Sequence, residues 1–198
     1  MGWGQIRVWN DDTIAAQSGF AQHPHADMEI VTFVRSGAVT HRDSLGNHGR
    51  TAAGDVQVMS AGTGITHSEF NLEDEATTLF QIWILPDRTG EAPSWGSQEF
   101  PRGARSGRWV IVASGDPAGD EALPIRADAR VLAATLAAGQ RLHYRADQTR
   151  HQYIVAPLGR IQVNGKEAQP RDGIAIAGET EIVVEALDDA EVVMVDAL

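Results

Sequence analysis

Short runs rich in Val, Ile, Leu and Thr recur along the chain, and clusters of Gly, Pro, Asn and Asp separate them. Runs of this length and composition are typical of β-strands joined by turns. Because the twenty glycines and eight prolines are spread over the whole chain, helices are expected to be few and short. In the first half the predicted strands are 29–35, 38–42, 56–59, 65–70 and 79–85.

The second half repeats this plan, with predicted strands at 109–112, 129–137, 153–157, 159–163, 174–177 and 182–186. Asn164-Gly165 is a predicted two-residue hairpin turn within it. Between the halves, the composition shifts to Pro, Gly, Ser and Arg. Many short strands at this spacing favour β-barrels. We therefore predict an all-β protein with an N-terminal barrel over 1–90, a linker over 91–108 and a C-terminal barrel over 109–198.

Composition excludes several classes of partner and of chemistry. The formal net charge is −11 and Lys166 is the single lysine, which argues against a surface that binds nucleic acid or a membrane. There are no cysteines, so any metal ion must be held by nitrogen and oxygen atoms. The chain has no apolar run of membrane-spanning length and does not begin with a secretory leader. A soluble, cytoplasmic protein is expected.

Two short segments carry the candidate chemistry. In an extended strand, residues two apart point to the same face, so His23 and His25 can present two imidazoles to one ion. Pro24 between them lacks an N–H, which confines this segment to an edge or bulged strand. His67 and Glu69 repeat the two-residue spacing and add a third imidazole and a carboxylate.

If the two strands face each other inside a barrel, these four side chains converge on one divalent metal ion. An octahedral ion would keep two positions free for water, dioxygen or a chelating substrate. Three imidazoles and one carboxylate suit Fe(II), Mn, Ni, Co, Zn or Cu, and affinity alone does not select among them.

These residues resemble the two cupin motifs, and more closely the version found in the pirin family. The resemblance runs from about residue 4 to residue 87 and includes the tracts 41–48, 59–69 and 81–86. The matching single positions are His23-Pro-His25, Glu29, Gly37, Gly54-Asp55, Gly62, His67 and Asn71. The resemblance implies a bicupin, that is, two cupin-type β-barrels with non-haem iron in the first. The second barrel is degenerate and is predicted to bind no metal.

The resemblance also implies a role for each carboxylate. In pirins the carboxylate ligand maps to Glu69, which is our choice, whereas in many other cupins it maps to Glu29. Glu29 is therefore expected to be an outer partner of a ligand histidine or a further candidate ligand. Pirins usually carry additional strands ahead of the point that matches Met1, and a missing strand would leave an unpaired barrel edge unless another segment covers it.

Two functions follow from the resemblance. The first is an oxidoreductase of the quercetinase type, in which the metal chelates a small aromatic, flavonol-like substrate, dioxygen attacks it, and Glu69 doubles as the catalytic base. The second is an iron-dependent regulatory protein that acts through a protein partner. An enzyme is favoured, and the fold alone does not choose between them.

Other chemically distinctive side chains are expected to be structural. His143 and His151 are isolated in the second half and are interpreted as surface or loop residues. His41 and His48 flank a turn and are interpreted as hairpin residues outside the ligand set. Trp83 lies on an apolar strand and is predicted to be a core residue.

Overall fold

The structure is a computed structural model that describes residues 2–116 and 118–198. Strands dominate these ranges, and the one helical element in them is a 3-10 turn at Arg102–Arg105. Nine strands precede that turn: β1 (Ile6–Ile14), β2 (Ser18–His25), β3 (Glu29–Ser36), β4 (Ala38–Asp43), β5 (His48–Ala52), β6 (Val56–Ser60), β7 (Ile65–Asn71), β8 (Thr77–Ile84) and β9 (Ser94–Gln98).

Ten strands follow the turn. They are β10 (Val110–Ser114), β11 (Leu123–Pro124), β12 (Ala129–Leu136), β13 (Arg141–Arg145), β14 (His151–Leu158), β15 (Ile161–Val163), β16 (Lys166–Ala168), β17 (Gly173–Ala177), β18 (Glu181–Ala186) and β19 (Ala190–Ala197). The predicted Asn164-Gly165 turn joins β15 to β16, and both of its residues have positive φ. The predicted all-β class with two cupin-type barrels is confirmed.

Each half contains two sheets. In the N-terminal half the sheets have the orders β1-β8-β3-β6-β9 and β2-β7-β4-β5. In the C-terminal half the orders are β11-β10-β12-β19-β14-β17 and β13-β18-β15-β16. The division of the chain at 91–108 stays a prediction, and within that segment β9 pairs with β6 and extends the N-terminal sheet.

The largest apolar cluster lies between the two halves. It joins side chains of the first half such as Phe33, Phe80 and Ile82 to side chains of the second half such as Val131 and Val193. The strand β3 is buried on both faces, which explains why its sequence is a nearly continuous apolar run. The two barrels therefore share a core.

The interiors of the two barrels differ in polarity. The C-terminal barrel is filled by one continuous cluster of aliphatic side chains. In the N-terminal barrel the apolar residues form two small clusters. The buried side chains of this half also include polar and ionisable groups, namely Thr32, His41, Thr51, Gln57, His67, Glu69 and Gln81. Buried polar groups need hydrogen-bond partners, and buried charges need a counter-charge or a metal ion. The interior of the N-terminal barrel is therefore the place to look for a metal site.

Candidate metal centre

The strand β2 carries the His23-Pro-His25 pair. This strand lies at the edge of its sheet, and its register with β7 shifts between Phe20 and His23. Both features agree with the expected effect of Pro24. The two imidazole rings are 4.8 Å apart between centroids and are half-buried, so this side of the cluster is open to solvent.

The strand β7 brings His67 beside that pair. Burial alternates along β7, so His67 and Glu69 face the interior while their neighbours face outward. His67 is directly opposite His23 in the register, and their Nε2 atoms are 3.1 Å apart. The ring centroids of His23 and His25 lie 4.5 Å and 5.0 Å from that of His67.

These three imidazoles fit a divalent metal ion. One nitrogen from each of His23, His25 and His67 lies within 4.8 Å of the others. Two nitrogens bound to one ion at about 2.1 Å are about 3.0 to 3.4 Å apart at octahedral or tetrahedral angles, which matches the 3.1 Å separation of the Nε2 atoms of His23 and His67. His23 Nδ1 donates to the carbonyl oxygen of Ala21 at 2.7 Å, which leaves Nε2 of the neutral ring free as a ligand.

Glu69 is placed next to His67 but not with all three histidines. Its carboxylate forms a second group with His67 and His41, in which the ligand atoms again lie within 4.8 Å of one another. Its two oxygens accept hydrogen bonds from Gln57 Nε2 at 2.5 Å and from Gln81 Nε2 at 2.8 Å. A carboxylate has about four lone-pair positions, so these two amides leave capacity for a metal ion.

Burial shifts the ionisation of these groups. It raises the pKa of Glu69 to about 7, against the opposing effect of the hydrogen bond from Gln81. It lowers the pKa of His67 to about 3, helped by repulsion from His23 and His41. Burial and then His23 also lower the pKa of His25. Neutral imidazoles are the form that binds metal ions.

His41 is a residue whose environment the sequence interpretation missed. The sequence predicts a hairpin residue outside the ligand set at this position. The side chain is fully buried, so the prediction of an ordinary hairpin residue is wrong. Its Nδ1 lies 3.4 Å from His67 Nδ1, and its Nε2 lies 3.1 Å from Asp43 Oδ2. The two-residue spacing of His41 and Asp43 was the available signal, because it is the same spacing that identified the other pairs. His48, by contrast, is exposed.

Two other expectations are refined by the structure. Glu29 is 1% exposed and accepts a hydrogen bond from Ser60 Oγ at 2.6 Å, and it is in neither group of potential ligands. Trp83 is only partly buried, and its ring meets the His25 ring edge-on at 5.0 Å between centroids. Trp83 therefore borders the cluster as well as packing against the core.

The isolated histidines of the second half are outside these groups. His143 is exposed, and its Nδ1 is hydrogen-bonded to Glu181 Oε1 at 2.8 Å. His151 is partly buried and its ring packs edge-on against Trp3. Within residues 2–116 and 118–198, neither belongs to a group of potential metal ligands. No helix in these ranges is long and apolar enough to cross a membrane.

Comparison with known proteins gives matches over both halves. The family model described as "Pirin" matches residues 1–84, and the model described as "Quercetinase C-terminal cupin domain" matches residues 110–197. A "Pirin-like protein" of Caulobacter vibrioides is 58% identical, with 100% of this chain and 85% of the relative covered. A "Quercetin 2,3-dioxygenase" of Escherichia coli K12 is 38% identical, with 99% of this chain and 84% of the relative covered.

Solved structures agree with these matches. The crystal structure of the bacterial pirin YhhW from Escherichia coli in complex with nickel(II) has a TM-score of 0.92 and 38% identity. The match covers 100% of this chain and 84% of that one. A divalent metal ion therefore has a precedent in a protein of the same fold, and the histidine cluster described above supplies suitable donors.

Proposed function

Because the chain belongs to the pirin family, we propose that it is a mononuclear, metal-dependent dioxygenase that acts on a flavonol such as quercetin. The observation that carries the proposal is the cluster of His23, His25 and His67 inside the polar N-terminal barrel. It is supported by relatives that bear the name quercetin 2,3-dioxygenase. A dioxygenase places both atoms of dioxygen in its product, so the reaction needs no separate reductant.

We propose that His23, His25, His67 and Glu69 are the metal ligands. Glu69 would join the three histidines through lone pairs that Gln57 and Gln81 do not use. When bound, the metal supplies a Lewis acid and open positions for the substrate and dioxygen. The C-terminal barrel, whose interior is filled by aliphatic side chains, is proposed to bind none.

The chain's own side chains would bind the substrate and move its proton. The half-buried His23 and His25 mark the open side of the cluster, and Trp83 beside His25 offers an aromatic surface to a planar ring system. Glu69 would accept the proton of the flavonol 3-hydroxyl at a carboxylate oxygen, acting as catalytic base as well as ligand. Gln57 and Gln81 would hold that carboxylate in place while it does so.

Fe(II) is the proposed native metal, in line with the family. Three imidazoles and one carboxylate also suit Mn, Ni, Co, Zn and Cu, and the affinity series does not favour iron. Metal selection would then depend on supply in the cell as much as on the protein. The identity of the metal is therefore part of the experiment.

The test is metal analysis of the protein purified without added metal, followed by oxygen uptake with quercetin. We expect one metal equivalent per chain, and flavonol-dependent oxygen uptake that a chelator abolishes and Fe(II) restores. His67→Ala should lose the metal and the uptake together. His48→Ala is the matched control, because it removes an exposed histidine from β5, a strand of the same sheet.

Two outcomes would contradict the proposal. Bound metal without uptake on any flavonol would exclude the dioxygenase and favour an iron-dependent regulatory protein that acts through a protein partner. Loss of metal in His48→Ala as complete as in His67→Ala would show that the cluster is not the site.

A further inference from the structure

His41 and Asp43 project into the barrel beside the proposed ligands. In the register between β4 and β7, His41 is opposite Glu69 and Asp43 is opposite His67. The side chains of His41 and Asp43 have no exposed surface. His41 contacts both neighbours, with Nε2 3.1 Å from Asp43 Oδ2 and Nδ1 3.4 Å from Nδ1 of His67. A histidine that is not itself a proposed ligand thus lies between a carboxylate and a ligand ring.

Asp43 is held as a hydrogen-bond acceptor. Its Oδ1 accepts from the backbone N–H groups of Leu45 at 2.9 Å and of Asn47 at 3.0 Å. Its Oδ2 accepts from the side-chain amide of Asn47 at 2.9 Å. With these donors in place the group at His41 Nε2 must also be a donor, because a carboxylate only accepts.

This fixes the proton positions along the chain of contacts. When Nε2 of a neutral His41 carries the proton, its Nδ1 is a lone pair that accepts. His67 must then carry its proton on Nδ1, which leaves its Nε2 as a lone pair. That Nε2 faces the free Nε2 of His23 at 3.1 Å, where only a cation or a proton can lie between them. The directions of the His41–Asp43 and His67–His41 contacts therefore follow from Asp43.

The ring of His41 is also fixed in orientation. Trp95 stacks on it, with centroids 4.7 Å apart and planes inclined by 7°. Gly49, opposite His41 in the β4–β5 register, leaves room for this stack, since a Cβ there would lie 2.3 Å from the Trp95 ring. The ring cannot flip about its Cβ–Cγ bond without moving Nε2 away from Asp43 and Nδ1 away from His67.

We propose that His41, braced by Asp43 and Trp95, is a positioning residue that holds His67 in the tautomer whose Nε2 binds the metal. Outer partners of ligand histidines act in this way, and their loss typically costs about 10- to 100-fold in metal affinity. The inference rests on His67 being a ligand, as in the proposed function, and does not depend on the flavonol reaction.

The first measurement uses the metal-free protein. Long-range proton–nitrogen NMR correlations report the tautomer of each histidine, and the His67 signals are assigned by their loss in His67→Asn. We expect His67 to carry its proton on Nδ1. This measurement stands whether or not any His41 variant folds, and whether or not a flavonol is turned over. A His67 ring protonated on Nε2 in the metal-free protein would overturn the proposal.

The second measurement is metal affinity, by chelator competition with Ni(II) or Zn(II). His41→Leu keeps bulk but removes the acceptor, and should weaken binding about 10- to 100-fold. His41→Asn places Oδ1 near the position of Nδ1 and should rescue binding to within about threefold of the unsubstituted protein. His48→Leu is the control and should leave affinity unchanged. A folded His41→Leu with unchanged affinity, or a His41→Asn as weak as His41→Leu, would refute the positioning role.

Discussion

Arg105 offers a direct test of how the two barrels are held together. Its side chain is 1% exposed although the sequence places it in a polar segment. The guanidinium donates to the carbonyl oxygens of Gly54 at 2.9 Å and Phe100 at 2.8 Å, and to Glu191 Oε1 at 2.5 Å. Glu191 lies on β19 and Gly54 in the first half, so one side chain connects both barrels.

Replacing Arg105 by Met should destabilise the protein by about 3 kcal/mol. Removing one partner of a buried ion pair costs about 3–5 kcal/mol, because the other charge stays buried without compensation. Here the low end applies, since Arg102 Nη2 lies 3.6 Å from the other Glu191 oxygen and can take over part of the contact. Glu191→Leu added to Arg105→Met should recover part of the loss, because no charge is then left unpaired.

The assay is chemical denaturation followed by tryptophan fluorescence, with the free energy of unfolding taken from midpoint and slope. A single transition is expected, because the largest apolar cluster spans both barrels. Arg108→Met is the control, since this exposed arginine donates one hydrogen bond to Ala104 O and its loss should cost less than about 0.5 kcal/mol. A cost for Arg105→Met below about 1 kcal/mol, or a double variant as unstable as the sum of both single variants, would refute this reasoning.

Four further outcomes are expected. Glu69→Gln should keep part of the metal but lower flavonol turnover about 100- to 10,000-fold, because a positioned general base typically accelerates a reaction by that factor. If this variant kept full metal content and full turnover, Glu29 would become the carboxylate to test. Burial raises the pKa of Glu29, so folding favours its protonated form and this group's contribution to stability is lost as pH rises. Glu29→Gln should therefore melt at higher temperature than the unsubstituted protein at pH 8, with a smaller difference at pH 5; an equal difference at both would contradict this. Free metal ion at 100 times its Kd should raise the free energy of unfolding by about 2.7 kcal/mol. The double variant His143→Ala/His151→Ala should still bind one metal equivalent per chain by metal analysis.

The parts of the fold and site that sequence could predict are those governed by local periodicity. The two-residue spacing of His23 and His25, and of His67 and Glu69, is sufficient to place each pair on one face of a strand. The Asn164-Gly165 turn is similarly local, because its positive φ values favour these residues. These features are therefore determined by residues that are close together in the sequence.

The parts that sequence could not predict depend on partners far along the chain. The strand β1 is largely polar and is held by pairing with β8, and the polar segment of β9 is held by β6. Arg105 can be buried because it is paired with Glu191, a residue 86 positions further along the chain. The turn after His41 predicts a hairpin residue, whereas the distant Trp95 stacks on its ring. Local composition does not report such contacts.

The stack of Trp95 on His41 bears on how this protein can be dissected. A gene fragment that stops at residue 84, where the first family match ends, would encode every proposed ligand. It would nevertheless lack the indole that lies flat on His41 and the strand that covers the open edge of β6. A shortened version of the protein that keeps the metal centre should therefore extend at least to Gln98, so that it includes β9.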